Sequence, residues 1–417
     1  MDRGYVLFKL SEVFISFFVL ILVVSTAVVS IRSFASEKTS QASITPTTTE
    51  SYITAAPMKG RPKIVNGLVV DPSGQPFRLQ GINYHELSTD YTAPGGCDNK
   101  IPYPLQTDDV KKWGFNTVRL TLTWDALEQT PPTWENGILT HHWDTSYLTL
   151  VDNLVKDLTD KDIGVVLDMH QYLWSSAFRD ISSDEGEHCG GSGFPAWIYQ
   201  NSDISDFQTA RCQFFAGINP ENSPVVVQDG FIEVWKFIAG RYATNPKVIA
   251  ADIINEPWAA LNKCTPEELH LNAFYEKVGS AIREVNPDII LILEDSQDYD
   301  NGDFALQEPL PFSNVMYSFH LYTRKWQPEG LKRLERYQTR AKTWNVPLFV
   351  GEFNAFDYGR DENAPPTWKS DLQKLLSYFR QNNVHWTYWS YSGKESLIRY
   401  EDKKPKEELL HILRKGF

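Results

Sequence analysis

Two glutamates close apolar runs in this chain: Glu256 in Ala250-Ala251-Asp252-Ile253-Ile254-Asn255-Glu256-Pro257, and Glu352 in Leu348-Phe349-Val350-Gly351-Glu352-Phe353. Both runs have the length and apolar continuity of short strands buried on both faces. A carboxylate withdrawn from water is costly unless paired. An acid at the end of a buried strand is therefore a helix cap, an ion-pair partner or a chemical group. Two such acids, separated by helix-sized spacers, meet at one mouth if their strands close into a parallel barrel. A facing pair of carboxyls can cleave a glycosidic bond, one acting on the sugar and the other donating a proton to the departing oxygen.

Other strand ends collect polar groups as well: Arg119, His170, Asn255 beside Glu256, His320, Tyr322 and Trp389. A single strand-end histidine or arginine is more often a satisfied structural residue than a catalytic one. The joint pattern is stronger, because six of eight strands end in groups able to bond a sugar or tune a carboxylate. A neighbouring cation would hold one carboxyl of such a pair ionised, whereas apolar surroundings and a second negative group would keep the other protonated.

Eight apolar runs must position these residues, at 78–83, 117–122, 164–169, 248–254, 289–293, 315–319, 347–351 and 385–390. Between most of them lie stretches of helical period at 144–160, 231–242, 266–285, 330–344 and 368–381, with a last one near 406–413. The alternation predicts an α/β fold, a (β/α)8 TIM barrel, preceded by a hairpin over 64–77 that turns at 71–74. An open doubly wound sheet usually carries a Gly-rich phosphate turn after its first strand. Here that strand runs into Gly81-Ile82-Asn83-Tyr84-His85. From 171 to about 229 the chain follows its third strand with little regular period, and a loop of this length beside a barrel mouth is read as a lid or cleft wall.

The chain has 417 residues, 42% apolar, with a net charge of −13 and a pI near 5.2. No basic cluster serves nucleic acid, so that partner is excluded. Thirteen tryptophans are a surplus that sugar stacking would use. Trp124, Trp174, Trp197, Trp258 and Trp326 fall after strand ends or in the long loop, and any one of them serves equally well as packing.

Residues 13–31 carry no charge and are long enough to cross a bilayer, which predicts a signal anchor or signal peptide within 1–35. A Ser/Thr-rich flexible linker follows over 36–57, and a catalytic domain over 58–417. The expected location is outside the cell, membrane-anchored or secreted, as a monomer. Cys97, Cys189, Cys212 and Cys264 then allow three disulfide pairings. Cys189 with Cys212 is the expected bridge, leaving Cys97 with Cys264. Their spacing fits no metal site.

Ile254-Asn255-Glu256-Pro257, with Gly351-Glu352-Phe353 some 96 residues later, resembles the signature of family 5 of the glycoside hydrolases. These are cellulase-like retaining (β/α)8 enzymes. Val118-Arg119-Leu120, Asp168-Met169-His170, His320-Leu321-Tyr322 and Trp386-Thr387-Tyr388-Trp389-Ser390 match its other strand-end motifs in order, over roughly residues 62–417. The resemblance implies Glu256 as general acid/base and Glu352 as nucleophile. It further implies Asn255 on the 2-hydroxyl, Arg119 and Tyr322 against Glu352, His170 and His320 lining the same subsite, and Trp389 as its floor. No cofactor or metal is implied. Trp174 and Trp258 are taken as outer stacking residues.

The implied substrate is a β-linked oligo- or polysaccharide, with an endo-β-glucanase as the leading expectation. Asp168-Met169-His170-Gln171, Phe194-Pro195-Ala196-Trp197 and Gln228-Asp229-Gly230-Phe231 are also similar to the family's endoglycoceramidases, which release the glycan from ceramide. A membrane tether would suit such a glycolipid; those enzymes carry a further β-sandwich after the barrel. Two other classes compete: a non-catalytic carbohydrate-binding surface protein, which would lack one of the glutamates, and a metal-dependent barrel hydrolase. The latter would place His-x-His where Asn83-Tyr84-His85 stands.

Overall fold

The computed structural model describes residues 60–89, 104–136, 138–178, 193–259, 263–295, 304–322, 329–355, 366–392, 396–399 and 402–416. The 13–31 run, the 36–57 linker, Cys97, Cys189 and Trp326 lie outside them. No helix among the described residues is long and apolar enough to cross a membrane.

Eight strands form a closed parallel barrel in chain order: β1 Gln80–Tyr84, β2 Thr117–Leu122, β3 Gly164–Met169, β4 Val248–Asp252, β5 Ile290–Glu294, β6 Val315–Leu321, β7 Leu348–Phe353 and β8 His385–Tyr388, with β8 pairing back onto β1. All eight are buried along their whole length, which is why they read as continuous apolar runs rather than alternating ones. The lower interior is filled by Val166, Ala250, Ile290, Ile292, Met316 and Phe349, and Val69 from the N-terminal hairpin packs against them. Truncating Phe349 to alanine would cost about 3–5 kcal/mol by the usual cavity rule.

The outer helices follow from amphipathic spacing. In Leu271–Val285, the buried side chains are Leu271, Phe274, Tyr275, Val278, Ala281 and Ile282, a stripe at intervals of three and four. Thr145–Asp160 is capped by Asp144, whose carboxylate accepts from the Tyr147 N–H at 2.7 Å. Glu329–Trp344, Trp368–Gln381 and Glu407–Arg414 follow β6, β7 and β8. Between β5 and β6 no helix occurs among the described residues, a departure from the strict repeat.

The N-terminal hairpin differs from expectation. It pairs Lys63–Val65 with Leu68–Val70 and turns at Asn66-Gly67, where both residues have positive φ (52° and 74°). That geometry matches the natural twist of a two-residue hairpin, whereas 71–74 forms a second tight turn tied by the Asp71 carboxylate.

The described part of the insertion after β3, residues 171–178 and 193–229, is a packed wall rather than an open loop. Its helix Phe207–Phe215 and the turns around it build an aromatic cluster in which Phe194 stacks on Trp174 at 4.0 Å and on Phe231 at 5.6 Å. The expected disulfides are overturned here. Cys212 bonds to Cys264, with Cα atoms 5.9 Å apart, tying that helix to the segment after β4. Proximity in sequence was the wrong guide, because Cys212 sits on the helix side that faces residue 264 across the fold.

Candidate active site

The C-terminal ends of the strands bring Glu256 and Glu352 together. One carboxylate oxygen of each, with a ring nitrogen of His320, lie within 4.8 Å of one another. His320 Nδ1 is 2.8 Å from Glu256 Oε1 and 3.5 Å from Glu352 Oε2. Tyr322 donates its hydroxyl to Glu352 Oε2 at 2.8 Å. Gly351 is required beside this cluster, since a Cβ there would fall 2.8 Å from His320 Nε2.

Arg119 lies beneath the pair, wholly buried. Its guanidinium donates to Glu352 Oε1 (2.8 Å), Asn255 Oδ1 (2.8 Å), Asp252 Oδ2 (2.9 Å) and Asn83 Oδ1 (3.1 Å), and sits 3.0 Å from Asp168 Oδ1. This fork fixes the orientation of Glu352 and Asn255 together. Asn255 donates from Nδ2 to the Gln171 carbonyl at 3.0 Å, which leaves one amide N–H for a ligand. His170 contacts Asp168 through Nδ1 at 2.8 Å and stacks on Trp389 at 5.7 Å. His85 lies against the same indole at 5.1 Å.

Glu256 has φ of +46°, an uncommon conformation for a side-chain-bearing residue. Three contacts hold it there. Its N–H donates to Glu294 Oε2 at 2.9 Å, its carbonyl accepts from Gln171 Nε2 at 3.0 Å, and the Trp258 N–H bonds the same carbonyl at 2.8 Å. Glu294 also lies 3.4 Å from His320 Nε2, so it touches both the backbone and the ring partner of Glu256.

Five buried carboxyls thus surround one guanidinium, and they cannot all ionise. Burial pushes Glu256 well above the usual carboxylate range, and the neighbouring Glu352 pushes it further. Burial also raises Glu352, with Arg119 pulling it back. Arg119, against Glu352 as the resemblance implied, does pull that carboxyl down, but desolvation outweighs the pull. The order needed for a donor and an attacking carboxylate survives, because Glu256 is displaced further and takes the shared proton. Burial raises Asp168 and Asp252 to about 7 against the pull of Arg119, and lowers His170 to about 3, so that ring is neutral.

Of the tryptophans expected to stack sugars, Trp174 is corrected. It is fully enclosed, donates Nε1 to the Tyr199 hydroxyl at 2.7 Å and serves the core of the insertion. Trp124 and Trp197 are buried likewise and both reach Glu128. Trp258 and Trp389 remain half-buried at the mouth. Sequence reasoning missed Glu294, although it ends β5 as Glu256 and Glu352 end their runs. It also missed Asp252, hidden inside the β4 run, and Gln171 and Asn83, which lacked any distinguishing spacing.

Glu256, His320 and Glu352 are the group among the described residues whose donor atoms could converge on a cation. Tyr322 and Arg119 already engage both oxygens of Glu352, so this donor set suits proton transfer better than metal ligation.

The family model described as cellulase (glycosyl hydrolase family 5) matches residues 70–395, which contain all eight barrel strands. An endoglucanase of Paenibacillus polymyxa is 24% identical, the match covering 85% of this chain and 87% of that protein. Endoglycoceramidase I of Rhodococcus hoagii is also 24% identical, over 78% of this chain and 66% of that one. Among solved structures, an endogalactoceramidase superposes with a TM-score of 0.66 at 21% identity, covering 85% of this chain and 84% of its own, a likeness of fold.

Proposed function

The chain belongs to glycosyl hydrolase family 5 and is a retaining glycoside hydrolase, and on that premise we propose that it cleaves internal β-glucosidic bonds of a glucan with Glu352 as nucleophile and Glu256 as acid/base. The observation that carries the roles is that an oxygen of each carboxyl lies within 4.8 Å of the other, well inside the roughly 6.5–9.5 Å spacing that makes room for an attacking water and in keeping with a double displacement.

In the first step a Glu352 oxygen bonds the anomeric carbon as the glycosidic C–O bond breaks, and the Glu256 proton passes to the departing oxygen. In the second, water attacks that carbon, Glu256 takes its proton, and the ester bond to Glu352 breaks. Arg119 and Tyr322 orient Glu352 for attack. Asn255 offers its remaining N–H to the 2-hydroxyl, and Trp389 supplies an apolar floor for the sugar face.

A second reading, release of glycans from a glycolipid, is supported by the likeness to the Rhodococcus hoagii enzyme and by the burial of Trp124, Trp174 and Trp197. That burial removes three of the rungs a long glucan would stack on. The test is to assay the full chain on carboxymethyl-cellulose and on lactosylceramide in detergent, following the anomeric configuration of the first product by proton NMR. A retained β-anomer from the glucan supports the leading reading; cleavage of lactosylceramide alone moves the assignment to the second. Inversion, or no cleavage of either, refutes the mechanism.

We extend the proposal to location: residues 13–31 anchor a monomeric enzyme at the outer cell surface. The Cys212–Cys264 bond supports an oxidising compartment. Membrane fractionation checks it, and recovery of the intact chain in the soluble cytosol would overturn it.

A further inference from the structure

Among the described residues, Arg211 is the buried cation that the mechanism leaves unused. It sits on the Phe207–Phe215 helix next to Cys212, keeps 3% of its surface, and has its Nε enclosed without a hydrogen-bond partner among the described residues. Its guanidinium packs 5.6 Å over the ring of Trp258 and 5.8 Å over that of Phe207. Aromatic faces offset part of the desolvation of a cation but take none of its N–H donors in line. A buried guanidinium in this state is costly unless a ligand completes it.

Its position says which ligand. The Trp258 that it covers lies two residues beyond Glu256 and donates its backbone N–H to the Glu256 carbonyl at 2.8 Å. Arg119, by contrast, grips Glu352. Arg119 thus bonds the Glu352 carboxylate directly, whereas Arg211 packs on the segment that follows Glu256. A nucleophile attacks from the side opposite the departing oxygen, and the acid stands beside that oxygen. A donor packed on Trp258, just past the acid Glu256, therefore stands on the leaving-group side.

We propose that Arg211 is a specificity-determining residue of the leaving-group subsite, donating from its guanidinium to an acceptor oxygen close to the scissile bond. That oxygen is a hydroxyl when the leaving group is a sugar and an amide carbonyl when it is a ceramide. The inference rests on the hydrolase reading above and names the chemistry recognised on the far side of the bond. The Cys212–Cys264 bond, one residue away, pins the helix to the segment after β4 and so holds Arg211 against Trp258.

The test compares Arg211→Met and Arg211→Lys with the wild type on cellotetraose, lactosylceramide and β-cellobiosyl fluoride. Fluoride leaves without an acceptor oxygen and without acid assistance, so its hydrolysis reports a folded site with a working nucleophile. The expected result is a loss in kcat/KM that is on the order of ten- to a hundredfold greater on a natural substrate than on the fluoride for Arg211→Met, with Arg211→Lys intermediate. Whether the discriminated substrate is cellotetraose or lactosylceramide identifies the source of the oxygen. Equal losses on all substrates, or a shifted pH profile without discrimination, overturn the proposal. If the wild type cleaves the fluoride but neither natural substrate, the leaving-group assignment falls while the nucleophile stands. If it cleaves none of the three, the hydrolase reading falls and takes this inference with it.

Discussion

Replacing Glu352 with glutamine should lower the proton affinity of Glu256. The two carboxyls lie within 4.8 Å, both buried, so a charge on Glu352 disfavours ionisation of Glu256. At an effective dielectric constant of about 20, that repulsion is about 3 kcal/mol, on the order of a hundredfold in proton affinity. Glutamine keeps the shape and removes the charge. The same change happens in the catalytic cycle, because forming the glycosyl ester neutralises Glu352. Glu256 would then release its proton more readily, which converts the acid of the first step into the base of the second. Carbon-13 NMR titration of glutamate carboxyls, with Glu256 assigned by its loss in Glu256→Gln, measures the effect. An unchanged Glu256 midpoint in Glu352→Gln would mean that the two groups are electrically independent, and the division of roles would fail.

Three further outcomes follow from the same geometry. Gly351→Ala puts a Cβ 2.8 Å from His320 Nε2, so kcat should fall roughly 10–100-fold with the fold retained; full activity would show that His320 has room to move. Removing the Cys212–Cys264 bond by a double serine substitution opens a 52-residue loop, worth about 4 kcal/mol in chain entropy, so calorimetry should show a lower Tm under non-reducing conditions, and an unchanged Tm would refute the estimate. Asp168 and Asp252 stand near 7 in the fold against the usual 3.8, so each of these two carboxyls keeps its proton in the folded chain between about pH 4 and 7 and loses it in the unfolded one. Their contribution to stability should therefore fall as pH rises through that window, against an opposite contribution from the buried neutral rings of His85, His170 and His385. Asp252→Asn removes one carboxyl from that balance, so its Tm should fall less, or climb more, between about pH 5 and 7 than that of the wild type, and identical slopes contradict the assignment.

The barrel was legible because its strands are buried on both faces. Runs such as 164–169 and 348–353 carry that burial in their composition, and the helices between them carry it as a periodic stripe. The two glutamates were legible for a related reason, since an acid that ends a buried run stands out against its neighbours. Glu294 obeys the same rule and was overlooked because its run looked like plain core. The pairing of Cys212 was not legible, and neither was the burial of Trp174, Trp124 and Trp197, since a tryptophan has the same composition whether it lines a cleft or fills an insertion.

The sequence by itself therefore determined the elements, their order and the candidate acids, all of which depend on local apolar patterning. Tertiary structure alone decided the shared proton, the strained backbone of Glu256 held by Glu294 and Gln171, the Cys212–Cys264 bond and the burial of Arg211 against Trp258. Those properties arise between groups far apart in the chain, where desolvation and distance set the energies and no local pattern records them.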